Sequence, residues 1–244
     1  MTNRSIAFFD NQFCTQAQER DYALNPFEQL ALPYLFGHVL DLGCGLGNLS
    51  VEAARGGCTV HALDAAPAAV DDLRRRAREL GIAVTVELAE LEQYRIKEAY
   101  DCIVAIGLLM FFSAHTAMRR MKDISYAVKP GGIAAINVLV EGTTYLDMFE
   151  PHHYHLFSEQ ELFSCFKDWE IEASRIDSFP APGNTVKRFA TVVARKPTEP
   201  IRRRFDRRSR QGFLDPSTRA SRLGLRGTWQ SAQLAQARHR AYAA

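Results

Sequence analysis

Seven consecutive residues have the spacing most suggestive of chemistry in this chain: Asp41-Leu42-Gly43-Cys44-Gly45-Leu46-Gly47. They follow a short apolar run of strand type and precede residues 48–55, which have the composition of a helix and end at Gly56. Three glycines let the backbone pass close to a ligand because no Cβ lies between them. The helix that follows directs its unpaired N–H groups at that ligand. This pattern predicts a loop that binds a nucleotide-like molecule.

An acidic residue occupies the matching place after the second predicted strand. Asp64 lies 21 positions beyond Gly43, where a carboxylate accepts hydrogen bonds from both ribose hydroxyls in a doubly wound sheet. An Asp before a helix is also a common helix cap, so capping remains the alternative. A nicotinamide cofactor is disfavoured, because its fingerprint needs glycine where Asn48 stands and because the sequence has no Tyr-x-x-x-Lys pair.

The length of 244 residues suits one α/β domain with an appendage. Hydrophobic residues make up 47% and charged residues 24%, which is ordinary for a soluble protein. No apolar run approaches the ~20 residues that span a bilayer, and the N-terminus lacks the apolar core of a signal peptide. Five scattered cysteines form no C-x-x-C pair. We therefore expect a cytoplasmic protein with reduced thiols, no membrane partner and no zinc site.

The net charge of +2 conceals an asymmetry along the chain. Residues 198–244 contain eleven arginines and three acids, whereas residues 1–197 contain 19 basic and 25 acidic side chains. We expect an Arg-rich, largely disordered tail at 198–244 that the catalytic domain does not need. A nucleic-acid substrate is not expected for the acidic remainder, although the tail is compatible with weak nucleic-acid binding.

A strand–helix alternation occupies residues 37–197, the predicted main domain. Strands are predicted at 58–63, 83–88, 101–106, 133–140, 169–173 and 189–194, with helices at 67–80 and 116–128 and a capping box at Ser158 opening another. This order predicts a doubly wound, mostly parallel sheet with its ligand site at the carboxyl ends of the strands.

Residues 1–36 form a predicted N-terminal helical cap. Their apolar residues, interrupted by Asn25-Pro26 and Pro33, indicate short helices that cover a core. Simple packing is the preferred interpretation of the aromatic residues in this segment. The alternative is a lid over the ligand, lined by Phe9 and Tyr22.

The motif D-x-G-C-G-x-G resembles the glycine-rich loop of class I S-adenosylmethionine-dependent methyltransferases. Further stretches resemble the tellurite-resistance (TehB-like) members: Met110-Phe111-Phe112, Lys129-Pro130-Gly131-Gly132, Asp168-Trp169-Glu170-Ile171 and the run from Gly183 to Lys196. The resemblance extends from about Val39 to Lys196. It implies a Rossmann-like seven-stranded sheet with an antiparallel last strand, and S-adenosylmethionine as cofactor.

The resemblance also implies a set of cofactor-binding residues. Glu90, after the third strand, faces the adenine amino group, and apolar neighbours flank the ring. Asp41 orients the methionine part or fixes the loop, and Cys44 serves as a small residue rather than a nucleophile. The full expected set is Asp41, Gly43, Cys44, Gly45, Gly47, Asp64, Ala65, Glu90, Leu91 and Ile106.

For the methyl acceptor, Met110 and Phe111 are expected to form an apolar wall, Lys187 and Arg188 to attract an anion, and Thr185 to contact the acceptor from the loop 179–185. The family has a G-E-L-H segment and a G-N-R stretch; here residues 177–185 contain no His, and Thr185 stands at the Arg position. We therefore expect a small, partly apolar acceptor. The alternatives are a TehB-type enzyme acting on tellurite or selenite, and a non-catalytic binding protein that uses its Arg-rich tail.

Three histidines, His152, His153 and His155, lie close together in the sequence. Sequential histidines point in different directions, and no H-E-x-x-H spacing accompanies them. Ordinary surface histidines are the preferred interpretation, ahead of a place in the substrate pocket or a metal site. The sequence assigns no catalytic residue and no general base.

Overall fold

The structure of the chain is a computed structural model, and it describes residues 3–198. The predictions made for the Arg-rich tail concern residues 198–244 and so lie, except for Thr198, outside the described residues. The division into a cap of residues 1–36 and a main domain of residues 37–197 remains a prediction. Within residues 3–198, no helix is long and apolar enough to cross a membrane.

Two helices and a 3-10 turn precede the sheet: α1 (Asn3–Glu19), α2 (Pro26–Ala31) and the turn Leu32–Tyr34. The expectation of short helices is wrong for α1, which runs for 17 residues because neither Pro nor Gly occurs before Pro26. A capping box opens α2: the Asn25 side chain accepts from the N–H groups of Phe27 and Glu28, and the Glu28 carboxylate accepts from the Asn25 N–H.

Seven strands form one sheet in the order β3-β2-β1-β4-β5-β7-β6. They are β1 (His38–Leu42), β2 (Thr59–Asp64), β3 (Val84–Leu88), β4 (Tyr100–Ile106), β5 (Val128–Leu139), β6 (Glu170–Ala181) and β7 (Thr185–Arg195). Strand β7 is antiparallel to both β5 and β6, and every other pairing is parallel. This confirms the predicted doubly wound, mostly parallel sheet with an antiparallel last strand.

Four helices connect these strands: α3 (Asn48–Arg55), α4 (Pro67–Leu80), α5 (Ala114–Ala127) and α6 (Glu159–Ser164). Helix α4 begins with Pro67 in the first turn and ends at Gly81 in the left-handed conformation, as its sequence predicts. The predicted capping box at α6 forms only in part. The Ser158 side chain accepts from the Glu161 N–H, but the Glu161 carboxylate bonds the His155 ring at 2.9 Å.

The last two strands are much longer than the predicted stretches 169–173 and 189–194. They form a hairpin, joined by the turn Pro182–Asn184, that pairs from Glu170 with Arg195 to Ala181 with Thr185. The predicted stop at Lys129-Pro130-Gly131-Gly132 does end α5, yet these residues lie inside β5 as a bulge. Lys196 keeps them in the sheet, since its backbone exchanges hydrogen bonds with Gly131 and Gly132.

The core lies on both faces of the sheet. Alternate residues of β4 are buried on opposite sides, with Cys102 and Val104 in one cluster and Ile103 and Ala105 in the other. Burial on both faces explains the continuous apolar composition of this strand.

Strands β1, β2, β4 and β5 are parallel to one another. Their carboxyl ends therefore meet at one edge of the sheet, and the loop after β1 lies there.

Candidate functional site

The loop from Gly43 to Gly47 is held tightly against β2. The N–H groups of Gly43 and Cys44 both donate to the carbonyl oxygen of Leu63, at 2.8 and 3.0 Å. Gly47 has a φ of 67° and caps α3. A Cβ at Gly47 would lie 2.3 Å from a methyl carbon of Leu73, so only glycine fits here. The loop is mostly buried, and its residues 43–47 line the cavity at the strand ends.

Asp64 connects the end of β2 to this loop. One carboxylate oxygen accepts from the Gly45 N–H at 2.8 Å, and the other accepts from the Ala66 N–H at 2.8 Å, just before α4. Burial raises the pKa of this carboxyl, and the backbone hydrogen bonds oppose that rise. The capping role considered from the sequence is not observed, because Ala66 is the N-cap residue of α4 without a side-chain cap and the N–H of Ala68 donates to Asp10. Asp64 instead lines the adjoining cavity. Its role toward a ribose stays a prediction.

A cavity of about 190 Å³ lies at this edge of the sheet, between the glycine loop and α1. It brings together ten of the fifteen residues expected at the site from the sequence. These are Asp41, Gly43, Cys44, Gly45, Gly47, Asp64, Ile106, Met110, Phe111 and Lys187.

Three expected cofactor residues, Ala65, Glu90 and Leu91, lie outside the wall of this cavity. The Glu90 side chain is exposed and accepts a hydrogen bond from the Gln93 amide at 3.1 Å. Leu91 is buried in the hydrophobic core that also contains Leu108. Ala65 is partly buried beside Asp64. The predicted contacts of these three residues with a cofactor remain untested.

Two expected substrate residues, Thr185 and Arg188, also lie outside the cavity wall. The Thr185 hydroxyl donates to the carbonyl oxygen of Pro182 at 2.6 Å. The Arg188 guanidinium forms a 2.5 Å ion pair with Glu159 and donates to the carbonyl oxygen of Glu141. Alternation along β7 explains the separation, because Lys187 and Phe189 face the cavity and Arg188 faces the other side of the sheet.

Within the described residues, four carboxylates line the cavity: Asp21, Glu28, Asp41 and Asp64. Three of them, Glu28, Asp41 and Asp64, interact with one another near the glycine loop. The pKa of Asp41 is raised to about 6, mainly by burial and further by repulsion from Asp64. A 2.7 Å hydrogen bond from the Ser50 hydroxyl opposes this rise. Burial also raises the pKa of Glu28 to about 7, and Asp41 adds repulsion. This wall is complementary to a cation, which would stabilise the ionised carboxylates.

Glu28 was missed by reasoning from the sequence. The signal was present as the capping box of Asn25 and Glu28, but the segment was interpreted only as a helix break at Asn25-Pro26. Nothing in the sequence spacing connects Glu28 with Asp41, because the two lie on separate elements that meet only in the folded chain.

Cys44 is a buried member of the same wall. Desolvation raises the pKa of its thiol well above the usual range, and the nearby Asp64 and Asp41 raise it further. A thiol in these surroundings stays protonated, which disfavours a nucleophilic role.

The opposite part of the cavity is apolar and aromatic. Met110 and Phe111 follow β4, and Phe9 of α1 contacts the Phe111 ring edge-on at a centroid distance of 5.2 Å. Phe9 therefore lines the cavity, as the lid alternative predicts. Tyr22 does not, because its ring covers the Arg76 guanidinium at 3.7 Å, on the side of α4.

Two polar side chains enter this apolar part from β5 and β7. Lys187 is 4% exposed, and its ammonium nitrogen lies 4.5 Å from the centre of the Tyr145 ring. Burial lowers the pKa of Lys187. Asn137 is fully buried and donates from its side-chain amide to the Thr191 hydroxyl at 2.9 Å. Asn137 was not identified from the sequence, since a single Asn within an apolar strand carries no spacing signal.

The histidine segment gives no sign of a metal centre. His153 lies 3.4 Å from Glu92, and His155 lies 2.9 Å from Glu161. Across residues 3–198, no group of three His, Cys, Asp or Glu side chains is arranged to hold a metal ion.

Comparison with known proteins gives a family match that includes the glycine loop. Residues 39–132 match the family model of a methyltransferase domain. The ubiquinone biosynthesis O-methyltransferase of Xanthomonas axonopodis pv. citri is 31% identical over 155 residues, which cover 56% of this chain and 64% of that protein. The protein of the same name from Xanthomonas campestris pv. campestris (strain B100) is 30% identical over 173 residues, which cover 62% of this chain and 71% of that protein.

Among solved structures, the fold is similar to that of TehB from Haemophilus influenzae, with a TM-score of 0.61 and 24% identity over 71% of this chain and 63% of that chain. The chain thus spans slightly less than two thirds of the length of TehB and of the Xanthomonas axonopodis protein.

Proposed function

The chain belongs to the class I S-adenosylmethionine-dependent methyltransferases, and from this we propose that it methylates an oxygen atom of a small, partly aromatic acceptor. One observation carries the proposal. A single cavity joins the glycine loop and three carboxylates on one side to an aromatic wall with a buried lysine on the other. The first side suits the family's cofactor, and the second suits an acceptor.

The residues of the first side fit S-adenosylmethionine. This cofactor carries a positive sulfonium and a positive ammonium, and the wall offers the buried carboxylates Asp41 and Asp64 and the partly buried Glu28. Asp41 and Glu28 would bind the ammonium, the backbone from Gly43 to Gly47 would hold the methionine part, and Asp64 would accept from the ribose. When bound, the cofactor supplies an already activated methyl group.

Because the methyl group is activated, the chain's own residues contribute mainly alignment and exclusion of water. Met110, Phe111 and Phe189 form an apolar wall, which we expect to orient an aromatic acceptor. Helix α1 closes this space from outside: the Ser5 hydroxyl donates to the Met148 carbonyl, and Asp10 accepts from the Ala68 N–H.

A hydroxyl acceptor must lose its proton during methylation, and Lys187 is the residue we assign as base. Its side chain lies in the apolar part of the cavity, and its lowered pKa increases the fraction of neutral amine at neutral pH. The neutral amine of Lys187 would take the hydroxyl proton of the acceptor, and the bound cofactor would supply the methyl group to the acceptor oxygen.

Oxygen is preferred as the acceptor atom for two reasons. The curated relatives named above are O-methyltransferases, and Lys187 offers the base that an alcohol or phenol requires. Tellurite and selenite are less well supported. Within the described residues, Lys187 is the only cationic side chain of the cavity wall, and the four carboxylates there would repel an oxyanion.

The test is formation of S-adenosylhomocysteine by the purified full chain. The chain is incubated with S-adenosylmethionine and a panel of phenols, aliphatic alcohols, amines, thiols, tellurite and selenite. Faster turnover with a phenol or alcohol than with every other class supports the proposal. Turnover confined to thiols or oxyanions would contradict it, and binding without turnover by any class would favour a non-catalytic role.

A further inference from the structure

Asn137 occupies a fixed place where three strands meet. On β5 it pairs with Ile106 of β4 on one side and with Thr191 of β7 on the other. Its carbonyl oxygen accepts from the Gly107 N–H at 3.0 Å. These contacts hold the Asn137 backbone beside the end of β4, between the glycine-loop side of the cavity and its aromatic wall.

The side chain of Asn137 is a buried polar group in a mainly apolar part of the cavity. It is 0% exposed and lines the cavity. Its amide nitrogen donates to the Thr191 hydroxyl at 2.9 Å, which fixes the carboxamide. The side-chain oxygen has no hydrogen-bond partner among the residues that the structure describes. Buried amide oxygens without a partner are rare in folded proteins because they lose their hydration without compensation.

We propose that Asn137 is a recognition residue for the methyl acceptor, whose O–H or N–H group donates a hydrogen bond to the Asn137 side-chain oxygen. Thr191 is the positioning residue that holds the carboxamide in this orientation. The inference rests on the proposed function, since it places the acceptor in the aromatic part of the same cavity.

This geometry restricts the class of acceptor. A carbonyl-type oxygen only accepts hydrogen bonds, and Glu28, Asp41 and Asp64 on the other side of the cavity also favour donors or cations. The group that enters must therefore bring its own hydrogen, as a protonated hydroxyl or an amine does. Ethers and carboxylates bring none, so they leave the Asn137 oxygen unpaired and bind weakly.

Ligand-observed NMR titrations test this with three probes of nearly equal shape: phenol, aniline and anisole. Each is added to the full chain saturated with S-adenosylhomocysteine, so that binding is measured without turnover. Phenol and aniline should bind more tightly than anisole. Asn137→Leu should weaken phenol binding roughly tenfold and leave anisole unchanged. Thr191→Val should weaken phenol binding several-fold, because the carboxamide loses its fixed orientation.

Thr85→Val is the matched control, because it is the same substitution at an exposed position of β3. It should leave the affinities of all three probes unchanged. If the Asn137→Leu variant does not fold, the phenol affinity of the Thr191→Val variant alone tests the proposal. Any of three results would overturn the proposal: equal binding of phenol and anisole to the wild type, no phenol binding at all, or phenol binding that neither substitution changes. Failure of the proposed function is distinct, since it appears in the turnover assay, as methylation confined to thiols or oxyanions or as no methylation, whereas the titrations measure binding without turnover.

Discussion

The Asp64 carboxylate accepts a 2.8 Å hydrogen bond from the Gly45 N–H, so the end of β2 fixes the loop that follows β1. The two residues are 19 positions apart in the sequence, and all of α3 lies between them. The carboxylate that shapes the glycine loop is therefore also part of the cavity wall. Loop geometry and ligand affinity are expected to depend on the same side chain.

We predict that Asp64→Ala weakens binding of S-adenosylmethionine by more than tenfold. Hydrogen bonds to charged groups contribute roughly 1.5–3 kcal/mol each, and the substitution removes those to Gly45 and Ala66 as well as any to the ribose. Calorimetric titration measures the effect. Asp71→Ala, on an exposed position of α4, is the control. Equal affinity of wild type and Asp64→Ala would remove Asp64 from the site.

We predict that the stability of the apoprotein falls as pH rises from about 5 to about 8. In the folded apoprotein, the pKa of Glu28 is about 7 and that of Asp41 is about 6, both above their ordinary values. The folded chain therefore keeps protons that the unfolded chain has already released, and this stabilising contribution is lost as pH passes through the folded pKa values. Melting temperatures across this range provide the measurement.

Binding of the cationic cofactor should act in the opposite direction, since it favours the ionised carboxylates. We predict that affinity for S-adenosylmethionine rises with pH over the same interval and that binding releases protons. Calorimetry in two buffers of different ionisation enthalpy counts these protons. Glu28→Gln should reduce the number released. An apoprotein whose stability rises from pH 5 to 8, or binding that takes up protons, would show that these carboxylates do not respond as described.

We predict that Lys187→Met lowers kcat for a hydroxyl acceptor about 10²-fold, the smaller end of the usual contribution of a general base. The wild-type kcat should rise with pH through the lowered pKa of Lys187, since only the neutral amine accepts a proton. The variant should lose this rise and keep its cofactor affinity. Lys167→Met, at an exposed lysine, serves as the control. An unchanged pH profile in Lys187→Met would assign the base elsewhere.

We predict that the chain truncated after Pro197 keeps its melting temperature and cofactor affinity. Residues 198–244 are rich in Arg, lack apolar periodicity and follow the last predicted strand. Thermal denaturation with and without S-adenosylmethionine compares the two lengths. Loss of folded, soluble protein on truncation would mean that the tail packs onto the core.

Most of the sheet could be predicted from the sequence because parallel strands buried on both faces leave continuous apolar runs. Strand β4 shows this, as the predicted stretch 101–106 agrees with Tyr100–Ile106 within one residue. Strand β6 could not be bounded in this way. It is an edge strand whose residues alternate between partly buried and exposed positions, so its pattern after residue 173 resembles that of a loop.

Some residues of the candidate site could likewise be predicted from the sequence, and others could not. Gly43, Gly45, Gly47 and Asp64 were predicted because local backbone geometry restricts residue type at fixed spacing. Glu28, Asn137 and α1 residues such as Phe9 come from separate parts of the chain, and only tertiary packing brings them together. Arg188 was a candidate because of its charge, but its place in the alternation of β7 pairs it with Glu159 instead.

The central claim is methyl transfer from S-adenosylmethionine to an acceptor oxygen in the cavity between the glycine loop and Phe111. The most direct measurement is a competition assay with purified full chain, cofactor labelled in its methyl group, and equal concentrations of a phenol and tellurite. We predict that the label appears on the phenol oxygen and that tellurite is methylated at least about 10²-fold more slowly. The reason is that, among the described residues, Lys187 is the only cationic side chain of the wall and the carboxylates there repel an oxyanion. Label transferred to tellurite as fast as to the phenol would contradict the account.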